Sequence, residues 1–469
     1  SSNAWLEIFR CRARPPSGGA GVCTNTHKVA CAIPRASAAC CAKDSMMGLP
    51  HFPVCMRGVA KLLKKPMPVT EASRPVEFEG MELELLELRT RVVKPRPCLA
   101  DLPTADTLPD LLLQEAGPAH DADEDSDAEA QPDAALRVLA KAREAARSQR
   151  WWSGHFEKVR TLQAAPRNQG RVDLMRNPVA DGDFVAVKVM PNAWATSGPE
   201  EFQRCFPEST ERPWMDIGIT MYLQEQGFTY VCEPRGVFRD HQSTYVVSAL
   251  ATEGDLFSWL SAGPKPGAER EAMLRPIMAQ AFKAVAWLHD LGIAHCDISL
   301  ENLLLTTEGD KPVVKLIDFG ASTFARSSLQ VAGKPSYMAP EIHEGTEYDP
   351  FLVDAFSLGV VLFSLAACAY PWNSTRPGHC KMFDFIRTRG LRPYMQRRKL
   401  HVQGGSVSLA EAFSPALTSL LEGLLAMRPA ERLTLGEHRW TETEGTVRPS
   451  CSDSQWWESH LSSSSPVTA

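Results

Sequence analysis

Apolar positions follow two different periods in different parts of the chain. Over residues 132–150 they recur at helical spacing, with Leu136, Val138, Leu139 and Ala142 near one face and Lys141, Arg143, Glu144 and Arg147 elsewhere, which predicts an amphipathic helix. Further on, β-branched runs at 184–189, 244–247 and 313–317 read as strands. Residues 270–291 and 351–369 carry helical periods. Strands precede or alternate with helices, an α+β order without internal repeats. The first hundred residues sustain neither period, and their composition predicts disorder. The expected organisation is a largely disordered extension over 1–130, a lead-in helix over 131–154, a folded domain over 155–442 and a flexible Ser-rich tail over 443–469, with Ser462-Ser-Ser-Ser465 near its end.

Composition narrows the picture only slightly. The 469 residues suffice for a large core, and 50 Lys+Arg against 56 Asp+Glu leave a net charge of −6, which gives no support for a nucleic-acid partner. The charge is segregated. Residues 1–75 are basic and include Arg57-Gly-Val-Ala-Lys-Leu-Leu-Lys-Lys65, a short amphipathic piece able to meet an acidic partner but read first as a solvated charge run. Six of the nine residues at 121–129 are acidic and surround Ser126, the mark of a linker. The longest nearly uninterrupted apolar run, Leu358 to Tyr370, has 13 residues, below the roughly 20 that span a bilayer, so no membrane span is expected. Thirteen cysteines cannot all pair, and none has zinc-ligand spacing; seven (Cys11, Cys23, Cys31, Cys40, Cys41, Cys55 and Cys98) lie in the first hundred residues. Free thiols in an intracellular, cytoplasmic setting are expected. The chain opens without a Met start or a basic-then-apolar run, which reads as a truncated sequence whose targeting is not legible, and secretion has no support.

Four motifs stand in a fixed order: Val185-Ala-Val-Lys188, His295-Cys-Asp297 with Asn302 five residues on, Asp318-Phe-Gly320, and Met338-Ala-Pro-Glu341. Their order and spacing resemble the eukaryotic protein-kinase superfamily over residues 156–440. Phosphoryl transfer needs positioning and charge neutralisation rather than covalent help, so cations and metal ligands have to converge. The resemblance implies a two-lobed fold with a small β-rich lobe and a mainly helical one, and ATP and Mg2+ as cofactors. It makes Lys188 the phosphate anchor, Asp297 the base that takes the hydroxyl proton, and Asn302 and Asp318 the metal ligands. It also implies a buried ion pair between Glu341 and Arg432, and Asp354 as the acid steadying the catalytic loop, with Phe356 where Trp is usual. Tyr245-Val-Val-Ser248-Ala-Leu-Ala251 looks like the strand entering the hinge, which implies adenine binding by the backbone of Ala249 and Ala251. A small Ser248 behind it implies a roomy back pocket. Ala186 and Asp255 match residues beside the nucleotide, Asp255 at the ribose.

Several positions depart from the family. Where a G-x-G-x-x-G-x-V loop is usual, the chain reads Gln163-Ala-Ala-Pro-Arg-Asn-Gln-Gly170-Arg-Val172, with only Gly170 and Val172 matching, so a weaker grip on phosphate is expected. The helix that supplies a Glu to the strand Lys is matched by Pro213-Trp-Met-Asp216, making Asp216 the partner, one methylene short, with Glu225 worse spaced. Cys296 stands for the loop Arg that receives an activation-segment phosphate, so control through Ser322, Thr323, Ser327 or Ser328 is not expected by that route. Ser299 stands where a Lys usually contacts the γ-phosphate, while Lys334 stands where its Thr partner is usual. A swap is expected, with Lys334 supplying the missing charge. Tyr337 resembles Ser/Thr kinases more than tyrosine kinases. The expected activity is therefore Mg-ATP-dependent phosphorylation of protein Ser/Thr hydroxyls. Its rivals are a pseudokinase acting as a binding or allosteric module, and a basic adaptor built on residues 1–75.

Overall fold

Alternation in the 184–189 run becomes the central strand of the structure, a computed structural model that describes residues 127–458 apart from 153, 166–167, 179–182, 310, 403–404 and 443–447. The chain divides into units at 1–83 and 84–469, and every described residue falls in the second. The expectations for residues 1–126, including the basic piece at 57–65, lie outside the described residues.

Helix α1 (Asp127–Ala146) opens the described chain. Strands β1 (Gln149–Arg150), β2 (Glu157–Ala165), β3 (Gly170–Arg176) and β4 (Phe184–Pro191) follow, then helices α2 (Pro199–Cys205) and α3 (Pro213–Glu225), then β5 (Pro234–Arg239) and β6 (Ser243–Ala249). The strands form one sheet in the order β1-β5-β6-β4-β3-β2, antiparallel except where β1 pairs with β5. Val185, Val187 and Val189 point to one face and pack with Met175, Phe238 and Val247. A second apolar cluster joins Ala142 and Ala145 of α1 to Met190, Phe202, Trp214 and Ile217. This is the β-rich lobe.

Beyond β7 (Gly254–Asp255) the chain is mainly helical: α4 (Ala268–Asp290), the hairpin β8 (Leu303–Glu308) and β9 (Lys311–Leu316), α5 (Pro350–Ala367), α6 (Lys381–Arg389), α7 (Leu391–Arg397), a hairpin of β10 (Lys399–Val402) and β11 (Gly405–Ser408), and α8 (Pro415–Leu424). Helix α5 is apolar all round because every residue of it is buried; it is long enough to cross a membrane by composition, yet it is the core helix of this lobe. Asp349 caps it by accepting from the Phe351 N–H at 2.8 Å. Arg432 and Glu341 form a buried two-point ion pair, 2.9 Å from Nη2 to Oε2, with the guanidinium 4.9 Å from the Phe356 ring centroid.

Three expected boundaries move. Helix α1 includes residues 127–129, so the last residues of the acidic stretch are helical, and 121–126 lie outside the described residues. The lead-in is helical as far as Ala146 and only its end joins the sheet, where β1 pairs Gln149 with Phe238. Of the expected flexible tail, residues 448–458 are packed on the domain: Trp456 is fully buried, its Nε1 donating to Glu271 Oε2 at 2.9 Å, with Arg275 5.6 Å from the ring centroid, while 443–447 and 459–469, including Ser462-Ser-Ser-Ser465, lie outside the described residues. Serine-rich composition masked the two adjacent indoles, whose burial outweighs the entropy of ordering 448–458. Cys232, Cys296, Cys368, Cys380 and Cys451 are free thiols as expected, whereas Cys205 is disulfide-bonded.

Candidate active site

The pleat that buries Val185 and Val187 turns Ala186 and Lys188 to the opposite face. Lys188 Nζ donates to Asp216 Oδ2 at 2.7 Å and to Asp318 Oδ1 at 3.1 Å. The other oxygen of Asp216 accepts from the Phe319 N–H at 2.9 Å, so one carboxylate ties the strand lysine to the turn after Asp318. The shorter Asp suffices because the start of α3 lies close against that turn. Arg212 N–H donates to Gly320 O at 3.0 Å, and a Cβ on Gly320 would meet Arg212 N at 3.4 Å. Glu225 is turned away and pairs with Lys141 at 3.4 Å.

Burial opposes the charge on Lys188, but the carboxylates of Asp216 and Asp318 outweigh it and push its pKa up, with Glu211 adding to the field. Lys188 holds Asp318 below the usual carboxylate range against the effect of burial. Asp318 has φ 67° and ψ 66°, a left-handed conformation that aims its side chain back at Lys188 at some backbone cost.

The catalytic loop hangs from one buried acid. Asp354 accepts from the His295 N–H at 2.6 Å and from the Cys296 N–H at 2.9 Å, which holds Cys296 at φ 63°. Asn302 Nδ2 donates to Asp297 O at 2.7 Å and to Asp297 Oδ2 at 3.0 Å. Asp297 Oδ1 is buried and has no hydrogen-bond partner, an acceptor left open in the site. Burial, helped by the Asp318 charge, raises the Asp297 pKa against the opposing pull of Lys334. Lys334 donates to Ser299 Oγ, and its Nζ lies 3.5 Å from Glu301 Oε2 and 3.8 Å from Asp297 Oδ2. Its ammonium thus occupies the space beside Ser299.

At the nucleotide end, Val172 lies opposite Lys188 across β3 and β4, and Ala186 lies opposite Ser248 across β4 and β6. Ala249 ends β6 with its N–H donating to Glu233 O at 2.8 Å, and Ala251 follows in the connection to β7. Asp255 accepts from the Ser258 N–H at 2.8 Å, a turn cap that engages one of its oxygens. Gly170 starts β3; its N–H donates to Asn168 Oδ1 at 2.9 Å, while Asn168 Nδ2 donates to Glu211 Oε1 at 3.1 Å. The β2–β3 hairpin is braced by the fully buried Asp173, which accepts from Thr161 at 2.8 Å and pairs with Lys158 at 2.9 Å.

The donor set fits Mg2+ with a triphosphate. Mg2+ takes one or two protein oxygens and completes its octahedron with water and phosphate, and among the described residues no group of three or more His, Cys, Asp or Glu side chains that could hold a metal ion is found. Asp318 and the side-chain oxygen of Asn302 are the residues that would supply those two, and the open Asp297 Oδ1 is an unpartnered acceptor in the same site. Sequence reasoning missed Arg212, Glu211, and the pair His289 and Glu437 behind Asp354. His289 bonds Glu437 at 2.7 Å and Asp354 at 3.1 Å. Only the left-over charge of Arg212 just before a helix could have drawn attention to it.

This fold and this convergence define a protein kinase, and comparison with known proteins agrees: the chain belongs to the protein kinase domain family, which it matches over residues 169–441. Among its relatives is CBL-interacting protein kinase 29 of Oryza sativa subsp. japonica, 32% identical over 55% of this chain and 54% of that protein. Testis-specific serine/threonine-protein kinase 5 of Mus musculus is 29% identical over 61% of this chain and 72% of that protein. Serine/threonine-protein kinase SIK1 of Mus musculus is 29% identical over 43% of this chain but only 24% of that protein. The chain thus spans about half the length of the rice relative and a quarter of the last.

Proposed function

We propose that the chain transfers the terminal phosphoryl group of ATP to Ser or Thr hydroxyls of protein substrates, with Mg2+. The observation that carries this reading is the convergence of Lys188, Asp216 and Asp318 within hydrogen-bond distance, next to an unpartnered Asp297 Oδ1. Lys188 orients the phosphates, and Asp216 keeps its ammonium aimed. Asp318 and Asn302 hold the metal, whose charge offsets that of the phosphate oxygens when bound. Asp297 accepts the hydroxyl proton at Oδ1 while Asn302 fixes the carboxylate. Lys334 adds positive charge on the side where Ser299 brings none. The names of the relatives support Ser/Thr hydroxyls as acceptors.

A second reading, a pseudokinase used as a binding or allosteric module, is favoured by the phosphate-covering loop, where Gln163 and Ala165 replace glycines and Asn168 is bonded to Glu211. The discriminating assay is transfer of γ-labelled phosphate from Mg-ATP to a generic basic protein by the full chain and by Asp318→Asn. Phosphotransfer predicts label only with the wild type; equal background in both favours the binding module.

A further inference from the structure

Arg212, the residue just before α3, fastens two parts of the site that are distant in sequence. It is nearly buried, and it holds the segment after Asp318 twice: its N–H donates to Gly320 O at 3.0 Å and its guanidinium Nη2 donates to Ser322 O. Its own carbonyl accepts from the Asp216 N–H at 3.1 Å, so the residue that grips the segment also sets the first turn carrying Asp216. The same segment is tied on its other side to the catalytic loop. Ala294 and Thr323 exchange both backbone hydrogen bonds at 2.9 Å, and Ser322 Oγ donates to His295 O at 3.3 Å. The guanidinium also acts on the Cys296 thiol, opposing the burial and acidic neighbours that push that thiol up. Cation, segment and catalytic loop are therefore already joined by protein groups, and the Ser322 hydroxyl is buried and engaged.

We propose that Arg212 is a positioning residue that assembles this site without a phosphate on residues 322–328, a charge brought from the α3 side where Cys296 brings none. It acts through Asp216 and Asp318: by fixing the spacing between the first turn of α3 and the turn at 319–321, it keeps both carboxylates on Lys188. This rests on the phosphotransfer reading for its activity consequence, but the staple itself has a readout of its own.

The test uses the full chain, stripped of phosphate and checked by intact mass. The dephosphorylated chain retains its kcat, and Ser327→Ala and Ser328→Ala leave it unchanged. Arg212→Ala lowers kcat about tenfold, the effect of losing a hydrogen bond from a charged donor, with the KM for ATP little altered. Arg212→Lys, which keeps the charge but not the fork, recovers part of the loss. Hydrogen exchange at 319–323 rises in Arg212→Ala while exchange in α8 stays as in the wild type, a localisation that general destabilisation does not produce. Wild-type kcat and exchange in Arg212→Ala, or activity that appears only after phosphorylation, overturns the proposal. If the wild type transfers no phosphate, the phosphotransfer reading fails by itself, and exchange at 319–323 still decides whether Arg212 is the staple.

Discussion

Lys334→Ala tests whether the ammonium beside Ser299 tunes the base. Its Nζ lies 3.8 Å from Asp297 Oδ2, and two unit charges at that distance attract by about 4 kcal/mol at an effective dielectric of about 20. The Lys334 side chain is 34% exposed, so solvent screening reduces this to on the order of 1–2 kcal/mol. The sign is fixed by the chemistry. Burial already raises the Asp297 pKa and Lys334 lowers it, so removing the ammonium raises it further. Asp297 accepts a proton only when ionised, and the acid limb of activity therefore moves to higher pH, with kcat on the plateau reduced as well. The assay is kcat/KM against pH for the full chain and the variant, with a Ser/Thr protein acceptor. An acid limb at the same pH in both proteins refutes the electrostatic account of Lys334.

Other consequences follow from the same contacts. Asp216→Asn keeps the shape but removes the charge on Lys188, and loss of a charge-assisted bond of about 1.5–3 kcal/mol predicts a fall in kcat/KM of roughly 10- to 100-fold by steady-state kinetics. A Cβ on Gly218 would lie 2.6 Å from Val138 O, so Gly218→Leu pushes α1 from α3; a loss of about 1–3 kcal/mol in chemical denaturation is expected, together with lowered activity. Trp456→Ala costs about 3–5 kcal/mol in the same measurement if 448–458 belongs to the folded body, and nothing if it is a free tail. Burial would lower the His289 pKa, but its bonds to Asp354 and Glu437 outweigh this and raise it to about 9. The stability it contributes is thus complete below pH about 6.5 and lost as pH rises through about 9, a loss of Tm that His289→Gln abolishes.

Much of this arrangement was written in local pattern. Val185 and Val187 fix the side to which Lys188 points, because a strand has period two, and Asp318 is marked by the Phe-Gly that follows it. Asp216 was found by spacing alone, but its second bond, to the Phe319 N–H, depends on how close α3 lies to the turn, which no spacing reports. The role of Arg212 was hard to read for the same reason: the backbone carbonyls of Gly320 and Ser322 are among its partners, and a carbonyl has no residue signature. Serines dominate the composition of the C-terminal stretch, whereas the docking of 448–458 rests on two adjacent indoles, Trp456 and Trp457, of which Trp456 is fully buried. Two-residue β1 is too short for periodicity to register.

The central claim is that binding and proton acceptance reside in different groups of one site, and Asp297→Asn separates them. With the full chain, magnesium and ATP, the account predicts nucleotide affinity near that of the wild type by calorimetric titration, and transfer to Ser/Thr substrate lowered about 10²–10⁴-fold. Undiminished transfer by Asp297→Asn, or a wild type that binds Mg-ATP but forms no phosphoserine or phosphothreonine, contradicts it.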